Sequence, residues 1–266
     1  MKTEADARLE FAVDLARRAG DLGMTFFREL EKLTIESKGH QDLVSNADRE
    51  VELFVRAAIA ETYPEDGIVG EEHATVEGTS GHIWVIDPID GTANFVRGIP
   101  QWCVIIACMR EGATHTGVIH EPASGETFYA RRGGGAFCNG RPVSVSKAAS
   151  MAEGSIGIGF NNRRHALNIL PVIQAIVENG GIFFRNASGG LMLAYVAAGR
   201  LIAYSEEHMN AWDCLAGFLL IEEAGGIVEP FNTDDVLATG TVAIAAGPAL
   251  FDQVRAISAG PFQLDG

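Results

Sequence analysis

The stretch Trp84-Val85-Ile86-Asp87-Pro88-Ile89-Asp90-Gly91-Thr92-Ala93-Asn94 decides how the rest of the chain is read. Its first residues are bulky and apolar, the composition of a buried strand. Pro88 reads as the stop of that strand, and Gly91 as the residue that lets the backbone turn sharply. The residues from Thr92 onward can start a helix. Such a corner brings two carboxylates, Asp87 and Asp90, to a strand end beside the free N–H groups of a helix start. Carboxylates are hard oxygen ligands suited to magnesium, and helix-start N–H groups suit a phosphate. Taken alone, the pair has a plainer reading, since aspartates in turns often cap backbone groups.

Further acids move the reading from cap to site. Gly70-Glu71-Glu72 follows the short run Ile68-Val69, so another acid sits at another strand end. Asp42-Leu43-Val44-Ser45-Asn46-Ala47-Asp48 places an acid at the start of a helix. Trp212-Asp213 opens an apolar helix that ends in Glu222-Glu223-Ala224-Gly225-Gly226.

Outward from these motifs, Leu9, Val13, Ala16, Ala19, Leu22, Gly23 and Phe26 recur at helical spacing and predict an amphipathic helix over roughly 3–29. A second helix is predicted over about 47–62, and the polar segment 36–42 lies between the two. From residue 66 the texture becomes β-rich, with runs at 67–69, 82–86, 103–109, 114–120 and 127–131. Asn139-Gly140 is a strong hairpin signal. After Ser155, strands alternate with helices at about 165–179, 189–199 and 211–224, followed by short strands near Ile227 and Val242. This block alternation predicts sheets sandwiched between helix layers. A seam near 146–155 divides an N-terminal α+β part, 1–150, from a C-terminal α/β part, 151–266.

The 266 residues are 47% hydrophobic, enough for a sizeable core, and carry a formal charge of −15. A surface that acidic repels nucleic acid and anionic lipid. Most of the excess serves solubility, but a cation held by clustered acids would use part of it. Four cysteines without a CxxC pair fit a reducing compartment. The acidic, amphipathic N-terminus does not read as a signal peptide, and the greasy run 102–109 is too short to span a bilayer. The expectation is a cytoplasmic protein with no membrane partner. The seven histidines show no HExxH-like spacing, and Gly133-Gly134-Gly135 lacks the strand–helix setting of a dinucleotide loop.

In combination, Gly70-Glu71-Glu72, Asp87-Pro88-Ile89-Asp90-Gly91-Thr92 and Trp212-Asp213 with Glu223-Ala224-Gly225-Gly226 resemble the inositol monophosphatase family, in its order and at similar separations. Lys38 ahead of Asp42-Leu43-Val44, and the placing of Asp48, match as well. The resemblance covers essentially the whole chain. It implies a layered α/β/α/β/α sandwich, shared with fructose-1,6-bisphosphatase, and a homodimeric, lithium-sensitive, magnesium-dependent phosphatase using two to three Mg2+ ions. Carried over by motif, Glu71, Asp87, Asp90, Asp213 and the Ile89 carbonyl would bind metal. Gly91 and Thr92 would bind phosphate through backbone N–H groups. The Thr92 hydroxyl, oriented by Asp48, would help Glu71 position and deprotonate the attacking water. A covalent aspartyl-phosphate route favours DxDxT, and this segment reads DxxDGT.

The resemblance also places Glu206 against substrate hydroxyls, with Asp90, Asp213 and Gly189 in the same pocket and Arg185 nearby. A solvated loop acid is the alternative for Glu206. Gly189-Gly190 replaces small residues such as Ala and is expected to leave extra room or flexibility. His208 is a candidate substrate contact, and Asn161, Asn162, Arg163 and Arg164 are candidates to meet a second phosphate or, equally, an exposed approach to a helix. The expected substrate is a small phosphorylated metabolite, myo-inositol 1-phosphate first or a similar sugar or polyol phosphate. Histidinol phosphate, fructose 1,6-bisphosphate and 3′-phosphoadenosine nucleotides are the alternatives. A role as partner of the RNA machinery is the alternative of another class.

Overall fold

The computed structural model describes residues 4–39, 42–161, 163–233 and 235–264, without the side chains of residues 38, 39 and 42. The candidate Lys38 side chain therefore lies outside the described residues, as does Asn162. Helices α1 (Glu4–Phe27) and α2 (Asn46–Thr62) flank a hairpin of β1 (Ile35–Gly39) and β2 (Asp42–Ser45), where the sequence suggested only a polar connection. Strands β3 (Gly67–Gly70) and β4 (His82–Asp90) follow, then the one-turn helix α3 (Thr92–Phe95). Next come β5 (Cys103–Arg110), β6 (Ala113–Glu121), β7 (Glu126–Arg131), β8 (Ala136–Cys138) and β9 (Arg141–Pro142). Strands β3 to β9 form one sheet in sequence order, antiparallel except for the parallel pair β3–β4. Asn139 and Gly140 join β8 to β9 with φ of 47° and 80°, the turn the Asn-Gly pair predicts.

The rest of the chain gives β10 (Ser155–Ile158), α4 (Leu170–Glu178), β11 (Ile182–Phe184), α5 (Gly189–Ala197), β12 (Ala203–Met209) and α6 (Ala211–Glu223). It ends with β13 (Ile227–Val228), α7 (Val236–Thr239), β14 (Thr241–Ala246) and α8 (Phe251–Ala259). The second sheet runs β11-β10-β12-β14-β13.

Three apolar clusters hold the layers together. Along β4, side chains alternate between faces. Trp84 and Ile86 pack with Leu15, Ala16, Val51 and Val55 of α1 and α2. Val85 faces the other way, with Ile105, toward Leu191 and Leu193 of α5 and Leu215 and Leu219 of α6. Tyr204 and Ala245 of the second sheet close that middle cluster, so α5 and α6 lie between the sheets. Val172 and Ile176 of α4 and Val254 of α8 cover the outer face of the second sheet over Ile156 and Ile244. The result is the α/β/α/β/α sandwich.

One detail corrects the sequence reading. Pro88 does not stop β4, which continues to Asp90. The register slips between Asp87 and Asp90, so that Asp87 faces Ile105 while Asp90 faces Cys103. A bulge is where a strand tolerates a residue that cannot donate to the ladder. It also re-aims the two carboxylates.

Candidate active site

Asp87 and Asp90 sit at the bulged end of β4, and Asp213 is in the first turn of α6, where it closes a capping box with Asn210. These three offer carboxylate oxygens that all lie within 4.8 Å of one another. Residues more than a hundred positions apart thus meet where the two sheets' connecting segments converge. Glu71, just beyond β3, and Ile89 line the same cavity of about 170 Å³. Gly91 adopts φ 98°, a left-handed conformation that favours glycine, and its O accepts from the N–H groups of Asn94 and Phe95 as α3 begins. Asn94 donates to the carbonyls of Gln101 at 2.7 Å and Asn186 at 2.6 Å, tying this turn to the chain entering α5.

Asp90 is held from the far side of the cavity. Its Oδ2 accepts from the Ser188 hydroxyl at 2.6 Å and from the Gly190 N–H at 2.7 Å. Sequence reasoning missed Ser188, because nothing local marks a serine before a glycine pair as a partner of a distant aspartate. The expected extra room at Gly189-Gly190 is not there. A Cβ on Gly190 would lie 2.4 Å from Ile105 Cδ1 and 2.9 Å from Asp90 Oδ2, and one on Gly189 would lie 2.6 Å from Met209 Cε. Both glycines are small because the space is already filled.

Asp48, at the third position of α2, accepts from the Ser45 N–H at 2.8 Å and the Ser45 hydroxyl at 2.6 Å through Oδ2. Its Oδ1 lies 2.9 Å from the Thr92 hydroxyl, which is also 3.1 Å from the Ile89 carbonyl. Both neighbours are acceptors, so the hydroxyl proton points toward them and a Thr92 lone pair is left to face the cavity.

Across the cavity, Glu206 on β12 is buried rather than a solvated loop acid. Tyr204 donates its hydroxyl to Glu206 Oε2, and Asn161 donates to Oε1 at 3.1 Å and to the His208 carbonyl at 2.6 Å. Arg185 stacks on Phe160 with its guanidinium carbon 4.3 Å from the ring centre, and Arg163 lies on the same wall. His208 does not line the cavity: its Nε2 donates to the Thr239 carbonyl at 2.8 Å. His208 is on β12, not in a loop, and nothing in its own sequence window hints at that carbonyl. Arg164 too is absent from the cavity wall. Glu223, part of the motif, accepts from the N–H groups of Gly133 at 2.7 Å and Gly135 at 2.8 Å, so it ties α6 to a turn of the first sheet.

The acids of the cavity strain against one another. Burial, and then the charge of Glu71, pushes Asp87 well above the usual carboxylate range. Burial and then the charge of Asp90 push Asp213 up to about 7. Asp90 is raised by burial, with the Ser188 hydroxyl and the Gly190 N–H pulling against it. Burial lifts Glu206 to about 7 against the Tyr204 hydrogen bond. The strongest influences on Asp87 are burial and other acids, with no cation among them. The charge of Arg163 only partly offsets burial and mutual repulsion at Asp213, and so crowded a set of hard oxygen donors fits a hard divalent cation such as magnesium.

Fold and site together define a metal-dependent phosphoric monoester hydrolase. The chain belongs to the inositol monophosphatase family, whose model matches residues 4–259. It is 40% identical over 240 residues to the inositol-1-monophosphatase of Mesorhizobium japonicum, covering 89% of this chain and 90% of that one. It is 36% identical over 245 residues to the Nus factor SuhB of Escherichia coli, covering 90% and 91%. Among solved structures, the extragenic suppressor protein suhB of Bartonella henselae superposes with a TM-score of 0.89 at 31% identity, over 95% of this chain and 98% of that one. An IMPase of Thermotoga maritima gives 0.84 at 32% identity, over 97% and 98%. Among the described residues, no helix is long and apolar enough to cross a membrane.

Proposed function

We propose that the chain hydrolyses the phosphate monoester of a small polyol or sugar, myo-inositol 1-phosphate first, with magnesium held by Glu71, Asp87, Asp90, Asp213 and the Ile89 carbonyl. The observation that carries this reading is the convergence of three aspartates, Asp87 and Asp90 buried and Asp213 half-buried, beside the Thr92–Asp48 pair. Two to three ions fit the family resemblance; when bound, they neutralise phosphate oxygens and make water easier to deprotonate.

The residues do the rest. The N–H groups of Gly91 and Thr92, at the start of α3, face the phosphate. Asp48 holds the Thr92 hydroxyl so that its free lone pair accepts from the attacking water. Glu71 takes the proton. Glu206, fixed by Tyr204 and Asn161, accepts from a substrate hydroxyl, with Gly189 behind it and Arg185 at the rim. A lithium-sensitive homodimer belongs to the same reading. Edge strand β11 leaves Ile182 64% and Phe183 48% exposed, and α4 adds Leu170 and Val177, an apolar face suited to a second copy. All four cysteines are free, which suits the cytoplasm.

The test is phosphate release from a panel of polyol monophosphates, histidinol phosphate, fructose 1,6-bisphosphate and 3′-phosphoadenosine nucleotides, with magnesium and with chelator. Turnover that survives chelation overturns the metal reading, and a nucleotide or bisphosphate preference overturns the polyol reading. The relatives named Nus factor SuhB support a second role, as a partner of the RNA machinery. That role predicts binding to transcription components by a phosphatase-dead variant.

A further inference from the structure

We infer that Glu52 and Arg56 are positioning residues for the reaction: from the face of α2 that carries Asp48, they set the backbone that presents Glu71. The inference rests on the role proposed above for Glu71.

Asp48, Glu52 and Arg56 are spaced four apart on α2, and all three are buried. Residues at that spacing share one helix face. Asp48 spends its bond toward the cavity on Thr92. One turn further on, Glu52 is fully buried, so its carboxylate must find its hydrogen bonds within the protein. It finds them on the segment just after Glu71. Oε2 accepts from the Glu72 N–H at 2.8 Å; Oε1 accepts from the His73 N–H at 3.2 Å and from Arg56 Nε at 2.6 Å. Arg56 turns its remaining nitrogens onto the same segment, donating to the carbonyls of His73 at 3.0 Å and Ala74 at 3.1 Å.

Residues 71–75 belong to no helix or strand. Backbone groups without a ladder must be satisfied otherwise, and here two side chains of one helix supply four bonds. Gly70 makes the approach possible, since a Cβ there would lie 2.3 Å from Glu52 Oε1 and 2.9 Å from Arg56 Nη2. The two groups proposed to handle the attacking water, Thr92 and Glu71, are thus placed by one rigid helix. The Ile68–Val76 bridge closes this segment at its base, and α2 fixes the residues between, just after Glu71. Misplacing a reacting group by about 1 Å costs on the order of a hundredfold in rate.

The test uses Glu52→Gln, Glu71→Gln and the double variant in the full chain, with myo-inositol 1-phosphate and magnesium. Glu52→Gln should lower kcat by about ten- to a hundredfold and leave KM within about twofold, because the phosphate contacts are untouched. Hydrogen exchange at the amides of Glu72 and His73 should rise at least about tenfold while α2 stays protected. In the Glu71→Gln background, Glu52→Gln should add no further loss. A folded Glu52→Gln enzyme with unchanged kcat, or losses that multiply in the double variant, overturns the inference. Full activity in Glu71→Gln removes the role of Glu71 and the inference with it; impaired Glu71→Gln beside normal Glu52→Gln removes the inference alone. Should Glu52→Gln fail to fold, Arg56→Lys decides, since it keeps the charge but not the forked reach to both carbonyls. A severalfold fall in kcat at constant KM supports the inference, and an unchanged kcat overturns it.

Discussion

Gly190 donates its backbone N–H to Asp90 Oδ2 at 2.7 Å, joining the first turn of α5 to the bulged end of β4. The bond needs a residue without a side chain. In Gly190→Ala the new methyl would press on Ile105 and on Asp90 itself, a crowding that costs about 1–3 kcal/mol in a packed core. Magnesium-dependent turnover should fall by on the order of tenfold as Asp90 is displaced. Gly189→Ala should do less harm, because its methyl would crowd the flexible end of Met209 and stand at an ordinary contact distance, 3.5 Å, from the Tyr204 hydroxyl. Equal losses in the two variants, measured by melting and by phosphate release, would show that the Asp90 contact is irrelevant.

Magnesium should raise the melting temperature of the wild type and do so much less for Asp213→Asn, since a ligand stabilises only the state that binds it. Without magnesium, Asp213→Asn should be as stable as the wild type or more so, because one charge leaves a crowded acidic cluster. If Asp213 served only to cap α6, the variant would lose roughly 1 kcal/mol and keep its magnesium response. Melting curves of both proteins with and without magnesium separate these outcomes.

Thr92→Ala removes the hydroxyl that bonds Asp48 and leaves the backbone N–H in place. The expected result is a fall in kcat of about two orders of magnitude with little change in KM. Isolation of a phosphorylated side chain during turnover would rule out direct attack by water.

The metal-free protein should lose stability as pH rises. Asp213 is lifted to about 7, and Asp87 and Asp90 are raised as well. Between about pH 4 and 7 the folded chain therefore holds protons that the unfolded chain has released. That contribution is complete below the unfolded carboxylate range and is lost as pH climbs through the folded value. Burial lowers His82, His120 and His208, which act in the opposite sense below about pH 6.5. Comparing wild type with Asp213→Asn cancels the histidines. In chelator from pH 5 to 8 the wild type should lose melting temperature more steeply than the variant, and parallel curves would contradict the assignment.

What local pattern could reach, it reached. The apolar period of α1 and α2, the β-rich runs from β3 to β7, and the strand–helix alternation after Ser155 are properties of short windows, and the structure has these elements. Other elements carry a weak local signal. The hairpin β1–β2 is polar and exposed at Ile35, and Pro88 reads as a stop until the bulge is seen. Beyond Val242 no element is predicted, yet there the nine-residue α8 packs Val254 onto the second sheet.

By itself the sequence determined the acids and their order along the chain, because Glu71, Asp87, Asp90 and Asp213 each stand in a distinctive local setting. Only the tertiary structure decided what stands behind them. Ser188 and Gly190 on Asp90, Tyr204 and Asn161 on Glu206, and Glu52 and Arg56 beneath the Glu71 segment are ordinary residues in their own windows. They became partners through the bulge in β4, the packing of α5 and α6 between two sheets, and the packing of α2 on the other face of the first sheet. Burial set their roles: a carboxylate removed from water must be satisfied by whatever the fold brings within reach, and that depends on distance in space rather than on distance along the chain.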